Sequence, residues 1–141
     1  MKGGKRIAVI ATLAALAADT GAVSASAVES HASAARVKVK LVEFKVIPSV
    51  KRAAAGKVTF VVRNAGQIPH ELVVLRTKTP AAKRPVKNGE VVETGKVGEI
   101  GTFKAGVTKT LTLTLKRGHY ALICNLPGHY KAGQFVDFTV G

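Results

Sequence analysis

Residues 108–115, TKTLTLTL, put Leu111, Leu113 and Leu115 on one parity and Thr110, Thr112 and Thr114 on the other. An apolar period of two fits a strand with one face on a core and one in water, and a helix, with its period of 3.6, cannot satisfy it. The same alternation recurs along the chain. It sets Val37, Val39 and Leu41 against Arg36, Lys38 and Lys40, and it aligns Val58, Phe60 and Val62 in KVTFVVRN, residues 57–64. In QFVDFTV, residues 134–140, it turns Val136, Phe138 and Val140 inward and Asp137 and Thr139 outward. ELVVLR, residues 71–76, is apolar on both parities and reads as a strand covered on both sides. After Leu41 the apolar parity switches to Val42, Phe44 and Val46, which predicts a bulge, or a strand with both faces partly covered, ended by Pro48. Short strands are expected around Val91-Val92 and residues 97–100, with a short helix as the alternative there, and HYALIC, residues 119–124, is a strand that ends at Cys124. Beyond the N-terminal segment no stretch sustains a helical period. The expected fold class is therefore all-β, with seven to eight short strands forming a β-sandwich or barrel.

The N-terminal segment follows a different logic. Lys2, Lys5 and Arg6 precede the apolar run IAVIATLAALA, residues 7–17, and Ala25, Ser26 and Ala27 offer the small side chains of an A-x-A cleavage site. Asp19, Thr20 and Gly21 interrupt the run before it reaches the roughly 20 residues a membrane-spanning helix needs. The expected organisation is a secretory signal peptide over 1–27, a flexible lead-in over 28–35 (VESHASAA, with His31) and one folded domain over 36–141, exported to a periplasmic or extracellular location. The whole chain carries a formal charge of +14; losing the three cations and one carboxylate of residues 1–27 leaves +12. Such an excess predicts a basic surface that steers the protein toward an acidic redox protein or an anionic membrane surface, with the cluster at residues 76–87 as the candidate patch. Export and an aromatic content of only 5% argue against nucleic acid.

In an oxidising compartment a lone cysteine needs an explanation, because Cys124 has no partner within the chain. It can be a small buried hydrophobe, a nucleophile, half of an intermolecular disulfide or a metal-bound thiolate. Its surroundings favour the last. His129 lies five positions on, Gln134 ten, and His70 stands where the ELVVLR strand begins. These four side chains supply N, S, N and O donors, and two His with one Cys and a weak axial donor make a blue-copper set. Pro127 and Gly128 tighten the loop between Cys124 and His129 and thin out the N–H donors near the sulfur. His119 sits in a turn on the parity opposite to Cys124 and is expected to face solvent. A thiol hydrolase would need a Gly-rich oxyanion element that is not evident, and a multicopper oxidase would need more than four histidines.

NAGQIPHELVV, residues 64–74, followed by YALICNLPGHYKAGQF, residues 120–135, resembles the cupredoxins, the type 1 blue copper proteins, in their small bacterial plastocyanin-like or amicyanin-like form. The likeness spans residues 36–141. It implies a Greek-key β-sandwich and one type 1 copper ion held by His70, His129, the Cys124 thiolate and an axial Gln134. It also implies a monomeric, non-enzymatic one-electron carrier whose electrons leave through His129, past a rim formed by Leu126 and Pro127. Many cupredoxins have Met where this chain has Gln134, a stellacyanin-like choice, and Met1 cannot replace it. An amide oxygen is harder than a thioether and favours Cu(II) over Cu(I). The alternative function on the same ligands is a copper delivery or storage module.

Overall fold

The structure, a computed structural model, describes residues 34–141. The predicted signal peptide, most of the lead-in and His31 lie outside the described residues. The strands run β1 (Ala35–Val42), β2 (Lys45–Pro48), β3 (Arg52–Ala53), β4 (Gly56–Asn64), β5 (His70–Arg76), β6 (Val86–Lys87), β7 (Glu90–Val91), β8 (Lys96–Phe103), β9 (Thr108–Leu115), β10 (Gly118–Ile123) and β11 (Phe135–Val140). One sheet has the order β2-β1-β4-β9 and a second the order β3-β11-β10-β5-β8, while β6 and β7 form a separate ribbon. β1 lies parallel to β4 and β3 parallel to β11; the other pairings are antiparallel.

The alternating residues meet between the sheets. Val37, Val39 and Leu41 of β1 and Val58, Phe60 and Val62 of β4 pack with Leu72, Val74, Leu122 and Phe138 of the opposing sheet, all fully or almost fully buried. Phe60 and Phe138 join the sheets edge to face, with ring centroids 5.5 Å apart. The outer face of β5 and β10 has a second apolar cluster, in which Val73, Leu75, Ala121 and Ile123 are covered by Ala81, Val91 and Tyr130. The excursion over residues 77–91 thus roofs the sheet, which is why β5 is apolar on both parities. Tyr130 fastens this roof: its hydroxyl donates to the Ala81 carbonyl at 2.6 Å and accepts from the Arg84 N–H at 2.9 Å.

The expectation for residues 42–46 changes. The parity switch after Leu41 is neither a bulge nor a doubly covered strand: β1 and β2 are paired antiparallel from Val42 opposite Lys45, so Glu43 and Phe44 form the tip of a tight hairpin. The short strands expected around Val91-Val92 and residues 97–100 are β7 and β8, so the alternative helix does not form there, and the one helical turn among the described residues is a 3-10 turn at Ala81–Lys83. The strand number also rises to eleven, because β2, β3 and β6 are only two to four residues long and too short to carry a period.

Strand direction gives the sandwich two different ends. β1 finishes, β5 begins, β10 finishes and β11 begins at one end, where Val42, His70, Cys124 and Gln134 come together. Ala35, Arg76, Gly118 and Val140 lie at the other. His119, near that far end, is half-buried rather than free in solvent: its Nδ1 is 2.9 Å from the Thr77 carbonyl and its Nε2 2.7 Å from Asp137 Oδ1.

Candidate metal centre

His70 is the first residue of β5, Cys124 follows the last residue of β10, and the loop from 124 to 134 returns through His129 to Gln134 just before β11. Cys124, His70 and Gln134 are fully buried; His129 is half-buried. Cys124 Sγ is 3.9 Å from His70 Nδ1 and 3.4 Å from His129 Nδ1, and the two Nδ1 atoms are 3.3 Å apart. Nitrogen ligands about 2.0 Å and a thiolate about 2.3 Å from one ion in a trigonal plane would be separated by about 3.5 to 3.7 Å. The three donor separations lie within about 0.3 Å of those values, so a single ion fits between them with little movement.

Gln134 adds the fourth group. Its amide nitrogen is 3.0 Å from the Val42 carbonyl, to which it donates, and 3.1 Å from His70 Nδ1. That bond to Val42 assigns the amide, leaving Oε1 3.1 Å from His129 Nδ1. All four residues singled out in the sequence are thus brought together.

The surrounding hydrogen bonds decide how each donor is presented. His70 Nε2 lies 3.2 Å from Glu43 Oε1; the carboxylate can only accept, so His70 carries its proton on Nε2 and turns an unprotonated Nδ1 toward the cysteine. Burial pushes the His70 imidazolium pKa down, which keeps the ring neutral, the form that binds a metal. Burial pushes the Cys124 thiol up, so a metal must displace its proton on binding. The sulfur accepts a backbone bond from the Glu71 N–H at 3.4 Å. On the other side of the cysteine, Asn125 N donates to Glu71 Oε1 at 3.1 Å, while the Asn125 side chain accepts from Val91 N at 2.6 Å and donates to Val91 O at 3.1 Å. The approach to His70 is held by Asn64, whose amide donates to Ile68 O at 2.8 Å and Phe103 O at 3.1 Å and accepts from Gly66 N at 3.0 Å.

Glu43, Phe44, Glu71 and Asn125 escaped the sequence reading. The spacing of Glu71 and Asn125, each directly after a donor residue, was available as a signal. Glu43 and Phe44 gave only the unexplained parity switch.

The sulfocyanin (SoxE) domain profile matches residues 48–141 of this sequence. The chain belongs to the sulfocyanin family. Sulfocyanin domains are cupredoxins, and the two-sheet sandwich agrees with that family. A dithionite-reduced auracyanin from Roseiflexus castenholzii superposes with a TM-score of 0.57 at 17% identity, over 77% of this chain and 98% of that one. Auracyanin B gives 0.58 at 21% identity, over 77% of this chain and 89% of that one. Reduced rusticyanin gives 0.56 at 20%, over 75% and 78%. At these identities the likeness is one of fold. Among curated proteins none matches the sequence. Cupredoxins bind one type 1 copper ion, and the His70, Cys124 and His129 group of the sulfocyanin domain fits that cofactor.

Proposed function

We propose that this protein is an exported one-electron carrier in which His70, Cys124 and His129 bind copper and Gln134 Oε1 is the axial donor. The observation that carries this is the convergence of three donor atoms in a buried site with one imidazole, that of His129, half-exposed. Copper, when bound, supplies the Cu(I)/Cu(II) couple. The chain's own residues keep water from the sulfur and hold the donors in fixed orientations through Glu43, Glu71, Asn64 and Val42, so that little has to move when the charge changes. Deep burial of Cys124 and His70 also opposes the quick metal exchange that a delivery module requires.

Electrons would pass through His129, flanked by exposed Pro127 and half-buried Leu126. Part of the 76–87 basic cluster lies far from the metal end. Arg76 and Lys78 belong to the far end of β5, roughly 20 Å from His70 at about 3.3 Å per residue. Exposed Lys45, Lys104 and Lys131 belong to elements at the metal end. An acidic redox partner is therefore assigned to Lys45, Lys104 and Lys131, with the remaining charge providing longer-range steering. The exported location rests on the signal-like segment over 1–27.

The test is the visible absorption and EPR spectrum of the protein with one equivalent of Cu(II), beside Cys124→Ser. An intense thiolate-to-copper band, absent in the variant, is the expected result. Weak, colourless binding in both proteins would overturn the proposal.

A further inference from the structure

The tip of the β1–β2 hairpin, residues 42–44, touches three of the four donor side chains. Val42 O accepts from Gln134 Nε2 at 3.0 Å, which aims the other end of that amide into the site. Glu43 Oε1 accepts from His70 Nε2 at 3.2 Å. The Phe44 ring meets the His129 ring edge to face, with centroids 5.1 Å apart and an interplanar angle of 72°. None of the three supplies a ligand atom.

Glu43 is the centre of this device. The oxygen that faces His70 also accepts the backbone N–H groups of Gln67 at 2.7 Å and Ile68 at 3.0 Å, so three donors from one segment of chain close on a single carboxylate oxygen. Gly66 completes the wrap: a Cβ there would fall on the Glu43 carboxylate and push it away from its three donors. The loop that delivers His70 is thus folded around a side chain from a hairpin 27 residues away. Resting on the copper reading above, we propose that Glu43 is the positioning residue of the metal centre: it fixes the tautomer and orientation of His70 and places a negative charge behind it that favours Cu(II). A neutral group with the same shape would keep the orientation and lose the charge. An apolar group would lose both.

The experiment uses Glu43→Gln and Glu43→Ala in the full chain. In the metal-free protein, 15N NMR of labelled imidazole reads the His70 tautomer. Wild type and Glu43→Gln should show the proton on Nε2, whereas Glu43→Ala should show a mixture. In copper-loaded protein, Cu(II) affinity in Glu43→Ala should fall by about 10- to 100-fold, as for other groups that orient a metal-bound histidine. Both variants should have raised reduction potentials, each tenfold loss of Cu(II) preference over Cu(I) reading as about 59 mV. An unchanged imidazole pattern in Glu43→Ala would overturn the positioning role, and an unchanged potential in Glu43→Gln would overturn the charge effect. A wild type without the charge-transfer band would defeat the copper reading alone, since the metal-free NMR result does not depend on it.

Discussion

Asn64 provides a quantitative test of how the approach to His70 is held. Its fully buried side chain makes three hydrogen bonds, donating to Ile68 O and Phe103 O and accepting from Gly66 N. Asn64→Ala removes all three and strands the Phe103 carbonyl in a buried setting, while the Ile68 and Gly66 groups are near enough to the surface to recruit water. At about 1 kcal/mol net per bond, with a larger cost for the group left dry, the loss should be about 2–3 kcal/mol. For a domain of roughly 100 residues this lowers Tm by roughly 10 °C or more. Thermal unfolding of metal-free protein followed by circular dichroism measures it. Asn64→Asp keeps the acceptor for Gly66 but turns a carboxylate toward two carbonyls, so it should be at least as damaging as Ala. A Tm within about 2 °C of wild type for Asn64→Ala would refute the reasoning and assign the loop's order to Glu43 alone.

Gln134→Met should raise the reduction potential, because a thioether stabilises Cu(II) less than an amide oxygen does; equal or lower potential by cyclic voltammetry would remove Gln134 Oε1 from the axial position. Lys45→Glu with Lys131→Glu should slow electron transfer to an acidic acceptor and flatten its ionic-strength dependence in stopped-flow measurements. Arg76→Glu with Lys78→Glu should change both far less, and equal effects from the two pairs would contradict docking at the metal end.

The long strands were legible because the sheets bury one face at a time, so Leu111 and Leu113 or Val58 and Phe60 announce their side by parity alone. The shortest strands were not, since a two-residue bridge such as β3 or β6 has no period and exists only because a neighbour lies alongside. The hairpin at residues 42–45 was misread for a related reason. Its turn is Glu43-Phe44, without the Gly or Asn that marks most two-residue turns, so only the change of parity betrayed it. Of the candidate site, the four side chains that converge were legible from chemistry: one thiol, two imidazoles and an amide in a cupredoxin-like spacing. What orients them was not, because Glu43 reaches His70 through space from another element, and Asn125 reaches Val91 across 34 residues. His119 was placed in solvent because parity does not reveal that Thr77 and Asp137 flank its ring.

The opposition of the sandwich's two ends has a practical consequence. β1 enters and β11 leaves at the end remote from His129, with Ala55 N donating to the Gly141 carbonyl at 3.1 Å to tie the C-terminus there. Anything joined to either terminus of the domain, whether an affinity handle, a fused enzyme or a linker to a solid support, therefore adds its bulk behind the metal and leaves the Pro127 and His129 face clear. Attachment at Lys131 or Lys45 would do the reverse and turn that face toward the support.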